Sequence, residues 1–165
     1  MNDHVSDMGE LRILYVEDDD IIRKMLMLMI SARFPGLPLS VAVNGHEGLE
    51  LFKSQKPDIV LTDVRMPVMD GIRMAREIKK LRKETRVIVI TADNDINRMM
   101  EAINIGINHY VLKPINKTRL LAAIEESMSS IQQERRIRQQ EDFIRKLSRA
   151  VEQSPVAIMI TDTAG

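Results

Sequence analysis

Glu17 and Asp18 close one short apolar run, Thr62 and Asp63 a second, Thr91 a third and Lys113 a fourth. Acidic, hydroxyl and amine groups thus recur at the ends of segments that read as strands. Three carboxylates brought to one place would repel one another unless a cation neutralised them. A donor set of hard oxygens, without His or Cys, selects Mg²⁺ or a similar ion such as Mn²⁺. A carboxylate so placed can accept a phosphoryl group without a general base, since the reaction asks mainly for positioning and charge compensation. Lys113 would then hold phosphoryl oxygens as a point charge, and the Thr91 hydroxyl could hold another. Taken singly, each group has an ordinary explanation: a helix cap, a β-branched strand residue, a solvated lysine.

The elements that must position these groups are legible as an alternation. Apolar or β-branched runs at residues 11–16, 39–43, 58–62, 87–90 and 108–112 read as strands. Between them, helical spacing appears in Ile21, Ile22, Met25, Leu26, Met29 and Ile30, after a cap at Asp19 or Asp20. Further helices are predicted after Asn44-Gly45, over 71–81 (Ile72, Ala75, Ile78, Leu81) and over 95–104 (Ile96, Met99, Met100, Ile103). Gly106 stands where a helix C-cap would need it. Asn116 caps a last helix carrying Leu120, Leu121, Ile124 and Met128. Five strand–helix units predict an α/β fold with a doubly wound parallel sheet, order 2-1-3-4-5 by right-handed crossovers. Ligands in such sheets sit beyond the carboxyl ends of the strands where the order reverses, between strands 1 and 3. Glu17-Asp18 and Asp63 end those two strands.

The last helix runs on. No Gly or Pro occurs from Lys117 to Gln153, a length of roughly 55 Å at the helical rise and far more than a five-stranded sheet needs. Beyond Ile131 its residues are mostly charged or polar, with Glu134–Arg138 and Glu141–Arg145 at supporting spacing. Ile137, Ile144, Leu147 and Val151 form a partial heptad seam, out of register with the earlier Leu121, Ile124, Met128, Ile131 seam. This predicts a helical or coiled-coil linker over 131–153 and a homodimer through that helix. Pro155 stops it, and residues 156–162 read as a strand.

Composition sets the outer limits. The 165 residues carry 24 basic and 24 acidic side chains, no Trp and 3% aromatics. A neutral balance with so few rings gives no reason to expect nucleic acid as a partner. Zero Cys excludes disulfides and thiolate chemistry and is compatible with a cytoplasmic setting. No apolar run is long enough for a membrane span, and residues 1–10 read as a flexible start.

With Val16-Glu17-Asp18, Asp63-Val64-Arg65-Met66-Pro67, Asp70-Gly71, Ile90-Thr91-Ala92 and Tyr110-Val111-Leu112-Lys113-Pro114 in this order, residues 11–130 resemble the receiver domain of two-component response regulators. The resemblance implies phosphorylation on Asp63 by a histidine kinase or a phosphotransfer protein. It implies metal binding by Asp18, Asp63 and the backbone carbonyl of Arg65, with Glu17 acting through water. It also implies a cis Lys113–Pro114 bond, and a conformational switch through Thr91 and Tyr110. Ala92 leaves room for the phosphoryl group. Arg65 and Asp93 would flank the path of attacking water and modulate phosphoryl lifetime. Residues 154–165 resemble the opening of a PAS sensory domain, which implies a sensory or output module, for example in a hybrid histidine kinase.

Three rival readings are weighed against this one. An aspartyl-phosphate phosphatase would want a second Asp two residues after the nucleophile, where Arg65 stands. A flavodoxin-like nucleotide binder would want a Gly- or Ser-rich loop after the first strand, where Glu17-Asp18-Asp19-Asp20 would repel phosphates. A degenerate receiver, acting only as an interaction module, would not need all of these positions intact.

Overall fold

A computed structural model of the chain describes residues 11–92 and 96–154. Residues 1–10, Asp93 and the 156–162 segment, for which expectations were stated, lie outside the described residues. The chain divides into two compact units, Met1–Ser129 and Ser130–Gly165.

The described residues alternate strand and helix throughout. In order these are β1 (Ile13–Val16), α1 (Asp20–Arg33), β2 (Leu39–Ala42), α2 (Gly45–Gln55) and β3 (Ile59–Asp63). There follow α3 (Gly71–Leu81), β4 (Arg86–Thr91), α4 (Ile96–Ile105), β5 (His109–Leu112) and α5 (Lys117–Glu152). The strands form one parallel sheet in the order β2-β1-β3-β4-β5, the topology expected from the alternation. Every residue of β1 and β3 is buried, as a parallel sheet covered on both faces requires.

Short polar side chains start the helices where the sequence places them. Asp19 Oδ1 accepts from the amides of Ile21 and Ile22, both at 2.9 Å, so Asp19 rather than Asp20 is the α1 cap. Asn44, Asp70 and Asn116 accept from the amides of Glu47, Arg73 and Arg119. Each satisfies a donor that helix geometry would leave unpaired. Gly106 takes φ +84° just past α4, where a side chain would be strained.

The faces that meet the sheet are narrower than the apolar spacing implies. In α1 only Leu26 and Ile30 are buried, while Ile21, Met25 and Leu28 are exposed. In α3 the buried set is Gly71, Ile72, Met74, Ala75 and Ile78, and Leu81 is exposed. The expected α4 face is corrected as well: Met99, Met100 and Ile103 face solvent, and Ala102 supplies the buried contact. A helix on one side of a sheet buries about a third of its circumference, so apolar residues in excess of that stripe turn outward.

Candidate functional site

The β1–β3 pairing sets the site. Val16 lies opposite Thr62, so Glu17 and Asp63, one residue further on each strand, emerge side by side at the carboxyl end of the sheet. Glu17 is 1% exposed and Asp63 8% exposed, whereas Asp18 is open to solvent. One carboxylate oxygen from each of the three lies within 4.8 Å of the others. Among the described residues this is the one cluster of three or more acidic, His or Cys side chains close enough to share a metal ion.

Lys113, just past β5, reaches into this cluster. Its Nζ lies 2.6 Å from Asp63 Oδ2 and 3.3 Å from Glu17 Oε2. The Lys113 amide donates to the Thr91 carbonyl at 2.7 Å, which ties the end of β5 to the end of β4. The Lys113–Pro114 peptide is cis, as the resemblance implies. The other Asp63 oxygen, Oδ1, accepts from the amides of Val64 at 2.6 Å and Arg65 at 3.3 Å. The Asp63 side chain is therefore gripped from both sides, by backbone N–H on one oxygen and by an ammonium on the other.

The electrostatics follow from burial and like charge. Burial first, and then the negative charge of Asp63, hold the Glu17 pKa above the usual carboxylate range, with Lys113 opposing. Burial pulls the Lys113 pKa down, but the bond to Asp63 and the charges of Asp63 and Glu17 outweigh it and leave the pKa above the ordinary lysine value. Formal charges of −1 on Glu17, Asp18 and Asp63 and +1 on Lys113 sum to −2.

Three contributors escape a reading of motifs. Tyr15 is fully buried, and its hydroxyl points at Glu17 Oε2 at 3.4 Å. Burial and the Glu17 charge push its pKa up, so it stays a neutral donor. Strand alternation could have found it, because residues two apart share a face. Arg23 donates to the carbonyls of Glu17 at 2.9 Å and Asp18 at 3.2 Å, bracing the segment that carries both carboxylates. The third is Gly71. Its amide bonds the Val64 carbonyl at 2.9 Å, and a Cβ there would stand 1.9 Å from the Asp63 carbonyl oxygen.

The remaining predicted residues sit around the cluster. Thr91 ends β4, fully buried, one residue past Ile90, which pairs with Asp63. Tyr110 sits in β5 opposite Val89, half-buried against the core. Arg65 follows Asp63 in the β3–α3 loop and offers its amide to Asp63.

The profile of the response regulator receiver domain matches residues 13–125. The chain belongs to this family. The receiver is 35% identical over 127 residues to the regulatory protein AtoC of Escherichia coli (strain K12), a match that covers 77% of this chain and 27% of AtoC. It is 32% identical over 119 residues to the chemotaxis protein CheY of Bacillus subtilis (strain 168), covering 72% of this chain and 98% of CheY. Among solved structures, the N-terminal domain of an uncharacterized protein from Wolinella succinogenes superposes with a TM-score of 0.70 at 35% identity, covering 75% of this chain and 98% of that one. The CheY-like receiver from Methanospirillum hungatei gives the same TM-score at 27% identity, with the same coverage. The chain spans about a quarter of AtoC and about half of the probable C4-dicarboxylate response regulator DctR of Bacillus subtilis (strain 168). Receiver domains interact with histidine kinases or phosphotransfer proteins, and the relatives include the DNA-binding regulator NtrC. No helix among the described residues is long and apolar enough to cross a membrane.

Proposed function

We propose that this chain is a cytoplasmic phosphorelay receiver that takes a phosphoryl group from a phosphohistidine onto Asp63 and switches conformation in response. The observation that carries this reading is the Lys113 ammonium 2.6 Å from Asp63 Oδ2, beside two further carboxylates, at the carboxyl edge of the sheet. In the step, an Asp63 oxygen bonds to phosphorus as the phosphorus–nitrogen bond breaks. The bonding pair returns to the imidazole of the donor.

The donor set fits Mg²⁺ or Mn²⁺: three carboxylates, no softer ligand, and one of them exposed enough to leave water in place. Asp18, Asp63 and the Arg65 carbonyl would hold the ion directly and Glu17 through water. A bound dication would neutralise the carboxylates and draw charge from the phosphoryl oxygens. The chain's own groups do the rest. The Val64 and Arg65 amides orient Asp63. Lys113 stands ready to move from the carboxylate to a phosphoryl oxygen. The Thr91 hydroxyl takes another oxygen, and its displacement is relayed to Tyr110. Arg65 and Asp93 shield the phosphoryl group from water. Residues 131–153 serve as a helical signalling linker through which two copies pair, and residues 154–165 open a PAS-like module, in a hybrid histidine kinase or a related sensor. A receiver kept only for protein interaction would not need the acidic cluster and its lysine intact, and here both are present.

The test is direct. Incubation with Mg²⁺ and a small phosphoramidate, borohydride trapping and mass spectrometry should place one label on Asp63. Asp63→Asn and metal chelation should each abolish it. A label on any other residue would overturn the assignment.

A further inference from the structure

We propose that the α5 extension pairs with a second copy of this chain as a parallel, two-stranded, in-register coiled coil whose alignment is fixed by Gln140. This deepens the proposed pairing and rests on it. The helix continues without interruption to Glu152, and every residue from Arg136 to that end is exposed. Ile137, Gln140, Ile144, Leu147 and Val151 fall within about 80° of one another around the helix. Four of the five are apolar, and those four are 48–74% exposed. A stripe of this kind on a lone helix is left for a partner to cover.

The residue types choose among partners. Taking Ile137 as heptad position a, Ile144 and Val151 are also a, and Gln140 and Leu147 are d. All three a residues are β-branched and the apolar d residue is Leu, the combination that favours two strands in parallel. Position g holds Arg136 and the following e holds Glu141. In a parallel, in-register pair these two face each other across the seam, once on each side, as opposite charges. An antiparallel pair would set g against g and e against e and lose both bonds. Gln140 is the polar residue in an otherwise apolar seam from Ile137 to Val151. Against its own copy its amide finds an amide; shifted by one layer it would face Ile or Leu with its hydrogen bonds unmade. A single polar layer of this kind sets register at a cost in stability.

The absence of cysteine from the sequence makes the test clean. Single-cysteine variants of the full chain are oxidised and their cross-linked fraction compared. Leu147→Cys places the thiol in the seam and keeps Gln140, and Asp142→Cys places it on the opposite face of the helix. The expected result is efficient cross-linking of L147C and little of D142C. Sedimentation of the unmodified chain separates the two levels of the idea. A monomer overturns pairing and orientation together. A dimer in which L147C cross-links no better than D142C leaves pairing standing and overturns the parallel register. Charge reversal supplies a variant that leaves the seam untouched. Arg136→Glu should weaken the dimer severalfold and addition of Glu141→Arg should restore it; failure of that rescue also refutes the parallel arrangement.

Discussion

Replacing Gly71 by alanine should damage the proposed phosphoacceptor site more than it damages the fold. Gly71 opens α3, and its amide bonds the Val64 carbonyl at 2.9 Å. The Asp70 side chain caps the same helix through the Arg73 amide. A Cβ on Gly71 would stand 1.9 Å from the Asp63 carbonyl oxygen and 2.7 Å from Thr62 Oγ1. Real Cβ contacts do not fall below 3.0 Å, so the gap must open by about 1 Å in a region packed to interior density. Neither neighbour is the free end of a flexible side chain. The carbonyl belongs to the acceptor's own backbone, and the Thr62 hydroxyl is bonded to that carbonyl at 2.8 Å. Overpacking of this kind costs about 1–3 kcal/mol, or a loss of roughly 4–11 °C in Tm for a unit of this size. Displacing Asp63 by about 1 Å relative to Glu17 and Asp18, the carboxylates with which it would share the metal ion, should slow phosphoryl uptake by on the order of 10²-fold.

A second glycine separates space from backbone conformation. Gly36 has φ +84°, and a Cβ there would meet nothing within 4 Å. Gly36→Ala should cost about 1–2 kcal/mol for the left-handed backbone and leave uptake unchanged. Thermal melts and phosphoramidate labelling with Mg²⁺ are run on both variants. A Gly71→Ala protein that melts within about a degree of wild type, or labels as fast as Gly36→Ala, would refute the steric argument.

Other expectations follow from the same geometry. Added Mg²⁺ should raise Tm, because ligand at 100 times its Kd stabilises by about 2.7 kcal/mol; no shift in calorimetry would remove the metal from the account. Glu17→Gln should weaken Mg²⁺ binding by about 10–100-fold, the usual effect of altering a group that acts through water, as read by titration calorimetry. Lys113→Ala should impair the conformational response more than uptake of the group, visible as labelling of Asp63 that persists while the shift in the NMR signals of β4 and β5 is reduced. Lys79, whose Nζ donates to the Thr85 carbonyl at 2.7 Å, has its pKa held below the lysine range by burial and then by Arg86. The folded state therefore releases this proton before the unfolded chain does, and its contribution to stability rises with pH from the depressed value to about 10.4. The cost of Lys79→Met in denaturant melts should accordingly grow through that window; a cost that shrinks there would reverse the sign.

The sheet order and the gathering of Glu17, Asp18, Asp63 and Lys113 were legible because they depend on strand ends, and strand ends are marked by a change from apolar to chemically active residues. Alternation then dictated which ends lie together. What the sequence hides is what depends on distances between segments far apart in the chain. Arg23 bracing the carbonyls of Glu17 and Asp18 needs the pitch of α1 against β1. The closeness of Gly71 to Asp63 needs the path of the β3–α3 loop. The outward Met99, Met100 and Ile103 of α4 show the limit of counting apolar positions, since spacing identifies a helix but does not say which part of its circumference the sheet has room for.

Charge also bears on how the proposed switch would work. Before transfer, Lys113 faces two carboxylates at 2.6 and 3.3 Å. Under the proposed reading, Asp63 would exchange its single negative charge for a phosphoryl group of roughly −2 at neutral pH. With the proposed dication bound, the formal total would then run from about 0 towards about −1, in surroundings where burial already holds the Glu17 pKa high. Neighbouring donors must rearrange to meet the new oxygens. The near candidates are Lys113 and the Thr91 hydroxyl, at the ends of adjacent strands whose backbones are joined by the bond from the Lys113 amide to the Thr91 carbonyl. Under the proposed reading, a movement of either would be felt by the other, and the end of the sheet at β4 and β5 is where a change in charge at Asp63 would become a change in shape.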